Sequence, residues 1–280
     1  MIWLNGALVD DAHATLSVFD HGFTVGDGVF ETMLCYPDTG LAFAADHLRR
    51  LRASAAGLFL DVPYDDAALL NAVAEVIDAE PSRPSEEQHG VRVRLTVTGG
   101  AGPLGSDRGG ATPTVIIAAA AQKPWPQTAV LAPVPWPRNE RGALAGLKTT
   151  SYAENVVALH TAHDAGADEA LFCDTQGNVC EGTGTNVFAV IGGELVTPPL
   201  TTGCLAGVTR HVVIDAYGAA EKAFTLDDLA RATEVFVTST TREVQAVSEV
   251  IGIVDLRASA PGPITNSAHA VYTQRRLSKT

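Results

Sequence analysis

Residues 146–155 read GLKTTSYAEN, and they hold Lys148, one of only four lysines in 280 residues. The other three have ordinary settings. Lys123 lies in the proline-rich KPWPQ, Lys222 sits beside a glutamate in AEKAF, and Lys279 is the penultimate residue. Lys148 is flanked by Gly, Leu, Thr and Ser, and the next acidic residue, Glu154, is six positions on. Desolvation disfavours an ammonium ion, so a lysine in a poorly solvated pocket becomes a neutral amine at lower pH. Such an amine is a nucleophile able to form a Schiff base with an aldehyde. The competing reading is a lysine at a strand end that snorkels to water. Lys148 taken alone leaves both open.

Composition narrows the function classes. With 46% apolar and 18% charged residues, the chain can bury a sizeable core. A net charge of −13, with no basic cluster larger than HLRRLR, argues against a nucleic-acid partner. Cys35, Cys173, Cys180 and Cys204 lack CxxC spacing and read as scattered reduced thiols. The stretch MIWLNGALVD has no signal-peptide pattern. The apolar run VIIAAAA is far short of the ~20 residues a membrane helix needs. A soluble, cytoplasmic protein with no membrane partner is expected.

Around Lys148 the chain organises into two halves. IWL-NG-ALV is a hairpin signal. VFETMLCY (29–36) reads as a strand, and 44–56 as a helix closed by Gly57. DDAALLNAVAEVIDAE has helical period, and PSRPSEEQHG (81–90) reads as a surface loop. VRVRLTVT and TVIIAAAA read as strands on either side of the glycine loop GGAGPLGSDRGG. The proline-rich QKPWPQTAVLAPVPWP then marks a connector. Beyond it, helices are expected at SYAENVVALHTAHDAG, AGVTRHVVIDAYG, LDDLARA and NSAHAVYTQRRL, with strands among them. The elements mix without strict βαβ alternation, so the fold class is α+β in two domains. The expected boundaries are 1–121, a linker over 122–137, and 138–280.

Several other segments could serve a ligand. Glu181 ends one apolar run and is followed by GTGT, a small turn that lets a flat ligand approach the backbone. A carboxylate there could pair with a protonated ring nitrogen, or it could be an exposed turn residue. Arg50 in HLRRLRASA, the helix start at Gly207-Val208-Thr209, and the hydroxyl run Ser239-Thr240-Thr241 are each suited to an anion. Their bland readings are a solvated helix face, an ordinary cap and a strand end. His160 and His163 form an HxxH on a helix without a third zinc ligand, so no metal is expected. GAGPLG lacks the dinucleotide and P-loop patterns, and no GxSxG elbow appears.

Taken in order, DHGFTVGDGVFET, HLRRLRASA, LKTTSYAEN, EGTGTNVF, LAGVTR and FVTSTTREV resemble the class IV, fold-type IV pyridoxal-phosphate enzymes. That family includes branched-chain aminotransferases, D-amino-acid aminotransferases and aminodeoxychorismate lyases. The resemblance runs from residue 20 to residue 244. It implies a smaller N-terminal α/β domain, a larger C-terminal domain, and pyridoxal 5'-phosphate (PLP) as cofactor. In its terms Lys148 matches the lysine that carries PLP as a Schiff base, and Glu181 the partner of the pyridine nitrogen. Arg50 matches the phosphate-binding arginine, and Val208, Thr209, Ser239 and Thr240 match the two turns that complete the phosphate cup. Phe30, Arg108 and Thr241 are the expected substrate-side residues, Arg108 by position rather than by family match. The implied activity is transamination from a D-amino acid or related primary amine to a 2-keto acid by ping-pong half-reactions. The alternative is an aminodeoxychorismate lyase giving 4-aminobenzoate and pyruvate. A homodimer is also implied, with the small-molecule amino donor and keto acid as the other partners.

The chain departs from each subtype. The Arg-x-His pair of D-amino-acid aminotransferases and the Arg-Gly-Tyr of lyases are both absent from GGAGPLGSDRGG. FETML stands where branched-chain enzymes have FEGIR, and Ala153 replaces the tyrosine that many relatives place five positions after the lysine.

Overall fold

The computed structural model describes residues 1–80 and 89–278. Most of the loop expected at 81–90 lies outside the described residues. The chain divides into two compact units. One comprises residues 1–124 with 147–152, and the other 125–146 with 153–278. The division falls within the proline-rich stretch expected as a linker, but that stretch is not a bare connector. Its Thr128–Pro133 is a strand of the second unit's sheet, and Leu147–Tyr152, expected with the C-terminal half, belongs to the first unit.

The first unit is a six-stranded sheet backed by helices. Strands β1 (Ile2–Leu4) and β2 (Ala7–Val9) form the expected hairpin. Asn5 and Gly6, at φ 48° and 102°, take the two positive-φ positions that such a tight turn demands. A short helix α1 (His21–Thr24) follows, then β3 (Gly28–Tyr36) and β4 (Gly40–Leu41). Helices α2 (Ala44–Gly57) and α3 (Asp66–Ala79) precede β5 (Gly90–Thr98) and β6 (Thr114–Gln122). The strand order is β2-β1-β6-β5-β3-β4. Odd-numbered residues of β3 and β5 (Val29, Met33, Val91, Val93, Leu95, Val97) face the core with Leu48 and Leu51 of α2 and Leu69 and Val73 of α3. This is the period-2 pattern of a sheet with one buried face. Asp65 caps α3 by accepting the Ala68 N–H at 2.8 Å.

In the second unit, helix α4 (Ala153–Asp164) accompanies β7 (Thr128–Pro133), β8 (Glu169–Cys173), β9 (Val179–Gly182), β10 (Asn186–Ile191) and β11 (Glu194–Thr197). Helix α5 (Val208–Tyr217), β12 (Ala220–Glu221), α6 (Leu226–Leu229), β13 (Ala232–Ser239), β14 (Glu243–Val250), β15 (Val254–Asp255) and α7 (Pro263–Ser278) complete it. The pairings run β10-β13-β14-β7-β8-β9, and β9 pairs back to β10 through Glu181 and Asn186, so six strands close into a barrel. Closure leaves those strands without free edges. One face of the barrel strands packs Leu131, Leu171, Val187, Val235, Val237 and Val247 together. On the other, Ala158 and Ala162 of α4 meet Ala132, Ala170 and Phe172. Helix α7 starts three residues before the expected NSAHAVYTQRRL because Glu234 accepts the Ile264 and Thr265 N–H groups and caps that extra turn. No helix among the described residues is long and apolar enough to cross a membrane.

The glycine loop after β5 shows how tightly the first unit is tied. Gly100, at φ +77°, lies where an added Cβ would stand 1.8 Å from the Thr112 carbonyl oxygen. Gly110 has the same φ of +77° with nothing within 4 Å of its Cβ position. Gly110→Ala should therefore show only the cost of a left-handed alanine, about 1–2 kcal/mol, whereas Gly100→Ala adds a backbone collision. The expected result in thermal denaturation is a Tm loss of roughly 2–4 °C per kcal/mol for each, with Gly100→Ala at least twice as damaging.

Candidate active site

Lys148, Arg50 and Phe30 belong to the first unit. The segment 147–152 runs alongside β3 as an added strand. Phe30 N–H donates to the Lys148 carbonyl at 3.1 Å, Thr150 N–H donates to the Gly28 carbonyl at 2.8 Å, and Val29 bridges Thr149. The Thr150 and Ser151 hydroxyls both donate to the Gly26 carbonyl at 2.9 Å. Lys148 N–H donates to Ser54 Oγ at 3.1 Å, and Leu147 fills the space that a side chain at Gly57 would take. The hydroxyl-rich flanks of Lys148 thus hold its backbone.

Phe30 is the hub of this half. Lys148 Nζ lies 4.3 Å from its ring centroid, and the Arg94 guanidinium lies over the ring at 3.6 Å. Tyr152 meets it edge-on at 5.2 Å. Among the described residues, no carboxylate forms an ion pair with Arg94. Arg94 was missed in the sequence because VRVRLTVT reads as a strand with one polar face. Its register, with Thr32 opposite Arg94 and Phe30 opposite Thr96, is what puts it beside Phe30.

Arg50 projects from α2 toward Glu31 on the core side of β3. Its Nε and Nη2 donate to Glu31 Oε1 and Oε2 at 2.7 and 2.8 Å, and His47 Nδ1 lies 2.7 Å from Oε2. Glu31 and His47 are fully buried. Burial alone would push the Glu31 carboxyl up, but the hydrogen bonds from Arg50 and His47 outweigh it and hold it at about 2. Burial also pushes His47 below its usual range, by more than its bond to Glu31 raises it.

Arg108 requires a correction. Its position in the glycine loop placed it among the expected substrate-side residues. Its Nε and Nη2 instead donate to Asp27 at 2.7 and 2.6 Å, Nη1 donates to the Phe59 carbonyl at 2.6 Å, and Nη2 also donates to the Leu58 carbonyl at 2.9 Å. The fork is spent on its own unit. Asp20, accepting from the Thr98 and Thr114 hydroxyls, and His21, 2.8 Å from the Pro103 carbonyl, pin the same loop.

Glu181, Val208, Thr209 and Ser239–Thr241 belong to the second unit. Glu181 is the residue through which β9 closes on β10, opposite Asn186. Its Oε2 accepts the Leu205 N–H at 2.8 Å, and Arg138 Nε stands 3.4 Å from Oε1. Arg138, also missed in the sequence, stacks over Phe172 at 4.1 Å and donates to Asn155 Oδ1 at 3.0 Å. Asn155 in turn donates to the Thr183 carbonyl at 2.5 Å, so the GTGT turn is held from α4. A Cβ on Gly184 would meet nothing within 4 Å, which leaves that turn open on one side.

The 205–209 turn is seated on β10. Asn186 donates to the Leu205 carbonyl at 2.8 Å, and a Cβ on Gly207 would stand 2.0 Å from Asn186 Oδ1. Gly207 starts α5 without a side-chain cap, and among the described residues no side chain accepts from the N–H groups of Val208 and Thr209. On the neighbouring strand, opposite Asn186, the buried Thr238 hydroxyl has no hydrogen-bond partner. Ser239 Oγ accepts the Arg242 N–H at 3.1 Å and tightens the turn that carries Thr240 and Thr241. An uncapped helix start, an unpaired buried hydroxyl and a turn of hydroxyls form a donor set that suits a phosphate. A carboxylate held by a backbone N–H suits a protonated ring nitrogen, and an amine over an aromatic ring suits an aldehyde. Each of these groups, taken by itself, suits one part of PLP: its phosphate, its ring nitrogen or its aldehyde.

The profile of the family described as amino-transferase class IV matches residues 28–250. A Methanocaldococcus jannaschii protein provisionally named a branched-chain-amino-acid aminotransferase is 37% identical over 90% of this chain and 88% of its own. A D-alanine aminotransferase of Bacillus licheniformis is 31% identical over 100% of this chain and 98% of its own. The crystal structure of a branched-chain aminotransferase from the thermophilic archaeon Thermoproteus uzoniensis with norvaline superposes with a TM-score of 0.89 at 31% identity, covering 99% of this chain and 95% of that one. Another branched-chain amino acid aminotransferase of this fold has been solved with pyridoxamine 5'-phosphate. With its α+β fold, the chain belongs to the class IV aminotransferases, a family of enzymes that depend on pyridoxal 5'-phosphate.

Proposed function

We propose that this protein is a transaminase that moves an amino group from an amino acid or related primary amine to a 2-keto acid, with PLP held covalently at Lys148. The observation that carries the reading is the grouping on Phe30, where the Lys148 amine and the Arg94 guanidinium both lie against one aromatic ring. Bound PLP supplies an electron sink for the electron pair left when the substrate Cα loses its proton. The protein's own groups do the rest. Lys148 Nζ would hold the cofactor and, as a free amine, would take the proton from the substrate Cα as general base and deliver it as general acid to a different carbon, on the cofactor side. The Glu181 carboxylate, fixed by the Leu205 N–H, accepts the hydrogen bond of the protonated ring nitrogen. Arg50, the N–H groups of Val208 and Thr209, and the hydroxyls of Ser239 and Thr240 hold the phosphate. Arg94 takes the role first assigned to Arg108 and binds a substrate carboxylate through its fork, with Phe30 and Thr241 on the substrate side.

The D-amino-acid donor expected from the sequence and the higher identity to a protein named for branched-chain substrates point to different donors. A half-reaction screen decides between them. D-alanine or L-valine alone should bleach the visible absorbance of the loaded enzyme, and Lys148→Ala should show no turnover with either. Borohydride reduction followed by peptide mapping should place the label on Lys148. A label on Lys123 or Lys222 would sink the assignment. Pyruvate release from aminodeoxychorismate with no response to amino acids would make the protein a lyase instead.

Arg94→Ala should lower kcat/KM for carboxylated substrates by about one to two decades, the worth of a charge-assisted contact of ~1.5–3 kcal/mol. A carboxylate-free amine such as 1-phenylethylamine should be nearly unaffected. Arg108→Ala should lower Tm and leave the ratio between the two substrate types unchanged. Equal loss on both substrate types in Arg94→Ala would remove Arg94 from the site.

We also infer a homodimer. Val18, Phe19 and Phe23 are 67%, 52% and 76% exposed, and Leu104 and Phe59 are 77% and 91% exposed. The segments that carry them are joined, since Gly102 N–H donates to the Phe19 carbonyl and Arg108 Nη1 to the Phe59 carbonyl. An apolar patch of this kind marks an association surface. Sedimentation velocity should give twice the chain mass, and Phe23→Asp should shift the protein toward monomer. A fully active wild-type monomer would refute the inference.

A further inference from the structure

The Glu31–His47–Arg50 cluster sets an ion pair, Glu31 with Arg50, and a buried histidine against an apolar core. Glu31 shares the core side of β3 with Val29 and Met33, while His47 and Arg50 lie three residues apart on the buried face of α2, beside Leu48 and Leu51. A buried ion pair is a poor source of stability, because desolvation offsets most of the attraction and well-packed apolar residues serve as well or better. Its presence here calls for another account. Both Glu31 oxygens are committed to Arg50 through the Nε–Nη2 edge, and His47 supports Oε2 at 2.7 Å. Two parallel hydrogen bonds to a planar fork fix the guanidinium plane as well as its position. The Nη1 edge is thereby turned away from Glu31, and the Arg50 side chain is 13% exposed.

We propose that Glu31 and His47 are positioning residues that hold the Arg50 guanidinium in the one orientation from which its outer edge binds a phosphate. The proposal rests on the PLP reading above. It assigns work to two residues that touch neither substrate nor cofactor. It also makes a prediction of sign. Removing the Glu31 charge leaves Arg50 more positive, so if charge alone mattered, phosphate binding would tighten. If orientation matters, binding weakens.

The test compares PLP with pyridoxal, which lacks the phosphate, by fluorescence titration of wild type and Glu31→Gln. The expected result is a Kd for PLP raised about 10- to 100-fold, the worth of one charge-assisted contact, with the Kd for pyridoxal changed less than about two-fold. His47→Gln, which keeps a donor for Glu31, should stay near wild type, and His47→Phe should weaken PLP selectively. His47→Phe also carries the test if Glu31→Gln does not fold. Tighter PLP binding in Glu31→Gln, or equal weakening of both ligands, would overturn the proposal. Inorganic phosphate, read as a concentration-dependent rise in Tm, separates the two levels. Wild type that ignores PLP but is stabilised by phosphate, with the effect lost in Glu31→Gln, would refute the cofactor reading and keep the positioning role. No response to either ligand would refute both.

Discussion

Two backbone hydrogen bonds, Phe30 N–H to the Lys148 carbonyl and Thr150 N–H to the Gly28 carbonyl, fix the chemistry of the first unit. They lay residues 147–152 along β3 as one more strand. A strand's side chains alternate, so this register decides what Lys148 Nζ can meet. On β3 the same alternation sends Phe30 to one face and Glu31 to the other. Phe30 gathers Lys148, Arg94 and Tyr152, whereas Glu31 gathers His47 and Arg50. A one-residue slip of β3 would exchange the two faces and leave a carboxylate against the lysine. The small, hydroxyl-rich flanks of Lys148 serve this register. Thr150 and Ser151 both bond the Gly26 carbonyl, and Ser54 accepts the Lys148 N–H.

In the second unit the corresponding constraint is closure. Glu181 and Asn186 are the pair through which β9 meets β10, and both side chains reach the 205–209 turn. Glu181 accepts the Leu205 N–H, and Asn186 donates to the Leu205 carbonyl. One turn is therefore read on both its backbone faces by the two residues that complete the barrel. Gly207 is required there by space, since any side chain would strike Asn186.

What the sequence made legible was local. Asn5-Gly6, the Gly166 stop after α4 and the alternation of β5 are each set by residues a few positions apart. The matching motifs led to Lys148, Arg50 and Glu181. The residues that surround them were not legible, because each is placed by a contact distant in sequence. Arg94 is one of two alternating arginines until its strand is registered against Thr32. Arg138 is a charge in a proline-rich stretch until Phe172 and Glu181 come up beside it. Arg108 failed for the same reason in reverse. It was read against its neighbours in the loop, and its partner Asp27 lies 81 positions earlier.

Among the described residues the chain passes between its two units at three points, after residues 124, 146 and 152. The first unit is consequently not a segment of the sequence. Its sheet is complete at Gln122, but the strand that carries Lys148 arrives only after a stretch of 22 residues, 125–146, that belongs to the other unit. During synthesis, β3 has to keep an unpaired edge available until residue 152 has emerged. For the same reason no single proteolytic cut can release the first unit with its lysine in place. A break between 124 and 125 yields a fragment with Arg50 and Phe30 but without the amine, which then remains with the second unit's chain.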